Sequence, residues 1–274
     1  MTSTSTPRSV YAKAFDGTAS ENYERYFVPA IGRPFAEDLI REAALQPGER
    51  VLDAACGTGI IARLAAKRVA PGGSVDALDI NPAMLSVARS LASPSAAPIR
   101  WFETSVESIP LPDDMFDVVI CHLGLQFVAG KHAALREMRR VASPGGRVLV
   151  STPRPSHFFE VLERAVSRHV GEEPGRFVRM VFSLDDARAI EQLFQAAGFR
   201  DVAVRTDRKS LRLPPARDFL WQYIHCTPLT ALLSQLGSDR TAAMEDEVAR
   251  GWQPWSRDDG MTYEQEMNVA TARR

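Results

Sequence analysis

Apolar positions along the first half of the chain fall into short runs broken by turn residues, and their period switches repeatedly between helical and extended. Within residues 34–45, Leu39, Ile40, Ala43 and Ala44 recur at helical spacing, and Gln46-Pro47-Gly48 ends the helix. A strand is predicted at 50–55. Ile60, Ile61, Leu64 and Ala65 then mark one face of a helix that Pro71-Gly72-Gly73 closes. Residues 74–80 give a second strand, after which Asn81 is suited to cap a helix and Pro82 to open it. A third strand is predicted at 99–103 and a fourth at 116–121, where Phe-Asp-Val-Val-Ile-Cys is nearly continuously apolar, as a strand covered on both faces requires. A helix at 131–142 meets Ser143-Pro144-Gly145-Gly146, and 147–151 is the fifth strand.

Strands alternating with helices through short turns predict an α/β fold: a doubly wound, mostly parallel sheet with helices on both faces. Further along, Ser183-Leu184-Asp185-Asp186 has the form of a capping box with Asp in the Glu position, ahead of a helical stripe of Ile190, Leu193, Phe194 and Ala197 that ends at Gly198. Residues 201–206 alternate as a strand, and 264–272 supply a last one. Between them the pattern from 214 to 255 is helical but irregular, which predicts a helical cap inserted into the fold. The expected division is an N-terminal segment at 1–33, disordered at its start and then aromatic, a core at 34–206 and 261–274, and the cap at 207–260.

A chain of 274 residues with 45% hydrophobic content can bury one substantial core. The net charge of −1 is spread along the chain, and Arg205, Arg208 and Arg212 are too loosely spaced to form a basic stripe, so nucleic acid is not an expected partner. No run approaches the roughly 18 apolar residues of a membrane span, and no leader of signal-peptide form is seen. Cys56, Cys121 and Cys226 are odd in number and lack Cys-x-x-Cys spacing, which argues against disulfides and structural zinc. A soluble, cytoplasmic protein without a metal is expected.

Chemistry enters at Gly57-Thr58-Gly59. A strand running into these residues and then into a helix sets bare backbone and a helix N-terminus at the sheet edge, where a nucleotide-like ligand can approach. With Ala62 and with Asp79 roughly 20 residues on, the loop also satisfies the dinucleotide fingerprint, so the glycines alone admit two cofactor classes. Asp53, four residues before Gly57, tips the balance. Its carboxylate would repel a pyrophosphate but suits a ligand with an ammonium and a sulfonium, such as S-adenosylmethionine. Asp79, at the end of the second strand, is placed to accept from both hydroxyls of a ribose. Either Asp can instead cap a helix or sit at a solvated strand end.

Four segments together resemble the class I S-adenosylmethionine-dependent methyltransferases, of the ubiquinone/menaquinone-biosynthesis type and its small-molecule relatives. They are Val-Leu-Asp-Ala-Ala-Cys-Gly-Thr-Gly from Val51, Leu-Asp-Ile-Asn-Pro-Ala-Met-Leu from Leu78, Ile-Pro-Leu-Pro-Asp-Asp-Met-Phe-Asp from Ile109, and Leu-Arg-Glu-Met-Arg-Arg-Val-Ala-Ser-Pro-Gly-Gly-Arg from Leu135. The resemblance covers about 45–152. It implies a Rossmann-like seven-stranded sheet of order 3-2-1-4-5-7-6 with an antiparallel seventh strand, S-adenosylmethionine as methyl donor and S-adenosylhomocysteine as product. It further implies that Asp53, Ala54, Gly57, Thr58 and Gly59 surround the methionine part, Asp79 the ribose, and Ile80 and Met84 the adenine. Ser105 would stand where the family's residue accepts from the adenine amino group, and Val106, Glu107 and His122 would also line the cofactor. The family usually has Asp where Ser105 stands, and a serine oxygen accepts more weakly.

Methyl transfer from a sulfonium is an in-line displacement, so the protein mainly aligns three atoms and excludes water. A base matters only for a phenol, an alcohol or a protonated amine. His122, directly after the fourth strand, is the candidate catalytic base or orienting group, and it can equally bond backbone or fill a pocket wall. Candidate substrate residues are Tyr11, Phe15 and Tyr23 ahead of the core, Gln126 and His157 after the fourth and fifth strands, and Tyr223 in the cap. The aromatics can instead dock a terminal helix or pack the cap. The expected partner is a small-molecule acceptor with an apolar or aromatic part. Two other readings stay open: a protein that binds S-adenosylmethionine without transferring methyl, and a nicotinamide-dependent oxidoreductase.

Overall fold

Strand β1 (Arg50–Ala54) presents Val51 to one hydrophobic core and Leu52 to another, and both side chains are fully buried because the strand lies in the middle of the sheet. The computed structural model describes residues 18–94, 96–233 and 236–274. The expected disordered start, with Tyr11 and Phe15, lies outside the described residues.

Around β1 stand β2 (Ser74–Asp79), β3 (Ile99–Glu103), β4 (Phe116–His122) and β5 (Ala142–Pro153), all parallel. β8 (Gly260–Arg273) inserts antiparallel between β5 and β6 (Arg200–Leu213), giving the order β3-β2-β1-β4-β5-β8-β6. The two-residue β7 (Ser256–Arg257) pairs with the start of β8, so the sheet has eight strands where seven were expected. The order reverses between β1 and β4. A crevice opens at such a point beyond the carboxyl ends of the strands, and this places the site.

Helices cover both faces. α1 (Ala19–Asn22), a π-helical segment (Tyr23–Gly32) and α2 (Arg33–Ala43) follow one another without a break, and α3 (Ile60–Val69) and α4 (Pro82–Ser90) follow β1 and β2. Asn81 caps α4 as expected, its Oδ1 accepting from the N–H groups of Ala83 at 2.9 Å and Met84 at 3.1 Å. α5 (Lys131–Val141) and α8 (Ala187–Ala196) pack on the opposite face through Leu135, Met138, Ile190 and Phe194. The cap of α8 departs from the expected box. Asp186, not Ser183, caps it, accepting from Arg188 N–H at 2.8 Å, while Ser183 donates to Gln126 O at 3.3 Å.

Two helices lie where no element was predicted: α6 (His157–His169) and α7 (Glu172–Met180). The helices after β6 are α9 (Ala216–His225), α10 (Leu229–Leu233) and α11 (Ser238–Gly251). α11 rests on α6, and Trp252, just past its end, stacks on Phe158 at 4.4 Å between centroids and donates from Nε1 to Phe158 O at 2.8 Å. β6 also runs seven residues past the expected Thr206. Its outward positions are charged, which hid the strand in the sequence, and they pair across to β8, as Arg208 does with Glu266 at 3.1 Å.

Candidate active site

The chain leaves β1 through a tight coil in which Ala55, Gly57 and Gly59 all take positive φ, at 57°, 53° and 80°. At Gly59 the need for glycine is steric as well, since a Cβ there would stand 2.7 Å from the Trp101 ring. At Gly57 an added Cβ would meet nothing within 4 Å, so this side of the loop is open. The coil delivers the N-terminus of α3 against Asp53, whose Oδ2 accepts from Ala62 N–H at 2.8 Å. Its Oδ1 has no hydrogen-bond partner among the described residues. Asp79 is held from both sides, Oδ2 accepting from Gly57 N–H at 2.8 Å and Oδ1 from Asn81 N–H at 2.9 Å.

These two carboxylates are buried together. Burial pushes the Asp53 carboxyl up to about 7; the Ala62 N–H pulls it down, nearby Asp79 pushes it further up, and Arg63 partly offsets them. Burial also raises Asp79, against the backbone donors of Asn81, Gly57 and Ile80. The nearest cation, Arg63, is committed elsewhere: it pairs with Glu24 at 2.6 Å and bonds the Thr58 carbonyl. The Thr58 hydroxyl is buried and has no hydrogen-bond partner among the described residues. A region with excess buried carboxylate and an unmet hydroxyl is suited to a ligand that brings a cation and hydrogen-bonding groups.

The cavity beside these groups encloses about 1110 Å³, open to solvent. Asp53, Gly57, Thr58 and Asp79 line it, as do Ile80 and Met84 beyond β2. Ser105, Val106 and Glu107 also line it. Ser105 Oγ accepts from Glu107 N–H and donates to Glu107 Oε2, both at 3.2 Å, and Glu107 Oε1 accepts from Gly130 N–H at 2.6 Å. Two expected cofactor residues are not on the wall. Ala54 is buried in the core on the α5 side, and Gly59 faces Trp101.

His122 reaches the same cavity with both ring nitrogens engaged. Nε2 lies 3.1 Å from the Gly32 carbonyl, which only accepts, so Nε2 carries the hydrogen and Nδ1 accepts from the Ser151 hydroxyl at 2.6 Å. Burial lowers its pKa to about 4, partly offset by the bond to Gly32. The imidazole is neutral at pH 7 and pins β4 to the junction of the π segment and α2. In this arrangement both nitrogens are occupied by protein partners.

A second cavity of about 670 Å³ shares Tyr23, Leu123 and Phe127 with the first. Gln126 and Tyr223 line it, so the structure brings Tyr23, Gln126 and Tyr223 together. His157 lies outside both cavities, its side chain 64% exposed and paired with Glu160 at 3.1 Å. The sequence reading missed Phe159, Phe177 and Phe182, which form much of this second wall. The available signal was the spacing of Phe158, Leu162, Ala165 and Val166, which is that of an amphipathic helix. Among the described residues no group of three His, Cys, Asp or Glu side chains could hold a metal, and no helix is long and apolar enough to cross a membrane.

Comparison with known proteins agrees with this layout. Residues 52–150, from β1 to the end of the parallel part of the sheet, match the family described as a methyltransferase domain. The chain is similar to the ubiquinone/menaquinone biosynthesis C-methyltransferases of Burkholderia mallei, 43% identical over 120 residues (44% of this chain and 49% of that protein), and of Cupriavidus taiwanensis, 44% identical over 113 residues (40% and 46%). The chain thus spans about half the length of the curated relatives it matches. Among solved structures, phosphoethanolamine N-methyltransferase 2 of Haemonchus contortus, in complex with phosphomonomethylethanolamine and S-adenosylhomocysteine, superposes with a TM-score of 0.64 at 18% identity, over 100% of this chain and 61% of that one. The cyclase SpnF superposes with a TM-score of 0.54 at 18% identity, over 88% and 80%. These two likenesses show the fold alone, and a fold carries more than one chemistry.

Proposed function

We propose that this protein transfers the methyl group of S-adenosylmethionine to a small-molecule acceptor. The observation that carries the reading is the buried pair Asp53 and Asp79 at the carboxyl ends of β1 and β2, lining one cavity with the open side of Gly57. Asp53, Gly57 and Thr58 would hold the methionine end and Asp79 the ribose. Ile80, Met84 and the segment Ser105, Val106 and Glu107 would hold the adenine. The match of residues 52–150 to a methyltransferase domain supports the same cofactor.

When bound, the cofactor supplies an activated methyl group on a sulfonium. The chain's own part is to keep water out and to present the acceptor at the boundary formed by Tyr23, Leu123 and Phe127, where the two cavities meet. The helices between β6 and β7 serve as the cap over the acceptor side. His122 holds this boundary in place by anchoring Gly32. The three cysteines are free and buried, which fits a reducing compartment, and the cytoplasm is the proposed location.

The test is calorimetric titration of the purified protein with S-adenosylmethionine, S-adenosylhomocysteine and a nicotinamide dinucleotide, followed by incubation with methyl-labelled donor and a broad acceptor panel. Binding of the first two and label in a product are expected. Binding of the dinucleotide alone would sink the proposal, and donor binding with no labelled product across the panel would reduce the protein to a binder.

A further inference from the structure

Arg63 follows Ala62, whose N–H bonds Asp53, so α3 carries a cation into the neighbourhood of the two buried carboxylates. Among the described residues it forms no ion pair with either of them. One Nη of its guanidinium pairs with Glu24 Oε1 of the π segment at 2.6 Å, and the other donates to the Thr58 carbonyl in the glycine coil. Both side chains are largely buried, Arg63 at 13% exposure and Glu24 at 20%. Neither residue lines either cavity. Arg63 is the ion-pair partner of Glu24, and the second carboxylate oxygen of Glu24 is buried without a hydrogen-bond partner among the described residues.

Burying an ion pair costs desolvation and adds little stability over an apolar pair of the same shape. What this pair does change is the field inside the first cavity. Arg63 acts on Asp53 as an opposite charge, Glu24 acts on Arg63 in the same sense, and Arg33, at the far end of the π segment, acts on Arg63 as a like charge. With Glu24 in place the two paired charges largely cancel at a distance, and Asp53 and Asp79 keep their negative field on the cavity wall. Without Glu24, the guanidinium would offset those carboxylates and oppose a cationic ligand.

We infer that Glu24 is a counter-ion to Arg63 that reserves the charge of Asp53 and Asp79 for the ligand, and that the pair thereby favours the sulfonium form of the cofactor over the neutral thioether left after methyl transfer. The inference rests on the proposed S-adenosylmethionine reading of the first cavity. Glu24 and Arg63 touch no ligand on this account, so they are positioning residues acting through Asp53. Their charge, not their shape, is what the ligand senses.

S-adenosylmethionine carries one more positive charge than S-adenosylhomocysteine, so the ratio of their affinities reads the field directly. The test is calorimetric titration of both into the full chain at pH 7.5, in the wild type, Glu24→Gln, Glu24→Asp, Arg63→Met and the double variant Glu24→Gln/Arg63→Met. In Glu24→Gln both ligands should weaken, and the preference for S-adenosylmethionine should fall about threefold, as one uncompensated charge roughly 10 Å away in a partly screened interior predicts. Glu24→Asp keeps the charge and should keep the ratio. Arg63→Met should hold or raise it. The double variant buries no unpaired charge, so it folds even if a single variant does not, and its ratio should return to that of the wild type. The inference is overturned if Glu24→Gln weakens both ligands equally, if Arg63→Met lowers the ratio, or if the double variant retains a lowered ratio; each of these would make the pair a structural tie only. A wild type that binds neither ligand would strike the cofactor reading and the inference together, whereas binding of both with an unresponsive ratio would strike the inference alone.

Discussion

Asp53 and Ala62 are joined by a 2.8 Å hydrogen bond from the Ala62 N–H, in the first turn of α3, to the carboxylate at the end of β1. The bond makes Asp53 at once a cap for a helix and a wall of the cofactor cavity. One oxygen satisfies a helix terminus that would otherwise lack a partner, and the residue also lines the first cavity. The sequence reading treated these as alternatives, and the geometry combines them.

The first prediction concerns pH and stability. Asp53 titrates near 3.8 when unfolded and is pushed up to about 7 when folded, so the native state holds the proton more tightly. Below 3.8 the group is neutral in both states; between 3.8 and 7 the folded protein loses stability as pH rises, and above 7 the loss is complete, at up to about 4 kcal/mol. Asp53→Asn should remove this dependence, so chemical denaturation of the ligand-free protein at pH 5 and pH 8 should show the variant gaining on the wild type at the higher pH. An equal difference at both pH values would contradict the assignment.

Ligand affinity should move the other way. A cationic cofactor favours the charged carboxylate, so binding expels the Asp53 proton and affinity should rise by up to about tenfold per pH unit toward 7 and then level off. Titrations of S-adenosylmethionine in two buffers of different ionisation enthalpy should reveal the proton release below pH 7. Asp53→Asn should bind far more weakly and release no proton.

His122 should behave as a pin. With its pKa lowered to about 4, it contributes no ionisation to the rate profile between pH 5.5 and 8. His122→Phe removes the partners of Ser151 Oγ and Gly32 O and should cost about 1–3 kcal/mol in denaturation experiments. A limb near pH 6.5 in the wild-type profile that vanishes in the variant would show instead that His122 takes up a proton during turnover.

Gly59→Ala should be strongly unfavourable for two separable reasons: φ of 80° and a Cβ 2.7 Å from Trp101. Trp101→Leu in the same chain should relieve the clash but not the backbone strain, about 1 kcal/mol. A double-mutant cycle with partial rescue is therefore expected, and full rescue would mean that the backbone conformation is not limiting.

Trp252 ties the end of α11 to α6 within a cluster of aromatic rings. Trp252 is fully buried, lies at 2° to the Phe158 ring, and its Nε1–H is bonded to the Phe158 carbonyl. Trp252→Ala should cost about 3–5 kcal/mol. If α11 is released with it, limited proteolysis should cut first within residues 238–257.

The sequence by itself determined the parallel half of the fold. The runs at Val51, Val75 and Phe116 are strands because they are covered on both faces, and short periodic runs between turn residues declare themselves locally. The glycine coil and Asp53 stand next to each other in the chain, so their shared site was also legible. What only the tertiary structure decided was the role of groups whose partners are distant in sequence. That Ser151 and Gly32 meet the two nitrogens of His122, and that α6 turns His157 toward solvent, are such outcomes. The charged face of β6 looked like an insertion because the carboxylates that answer it lie in β8. The second cavity assembles Gln126 with phenylalanines from separate elements, and no local pattern encodes such a meeting, because burial and hydrogen bonding there are set by the packing of elements that the chain brings together only on folding.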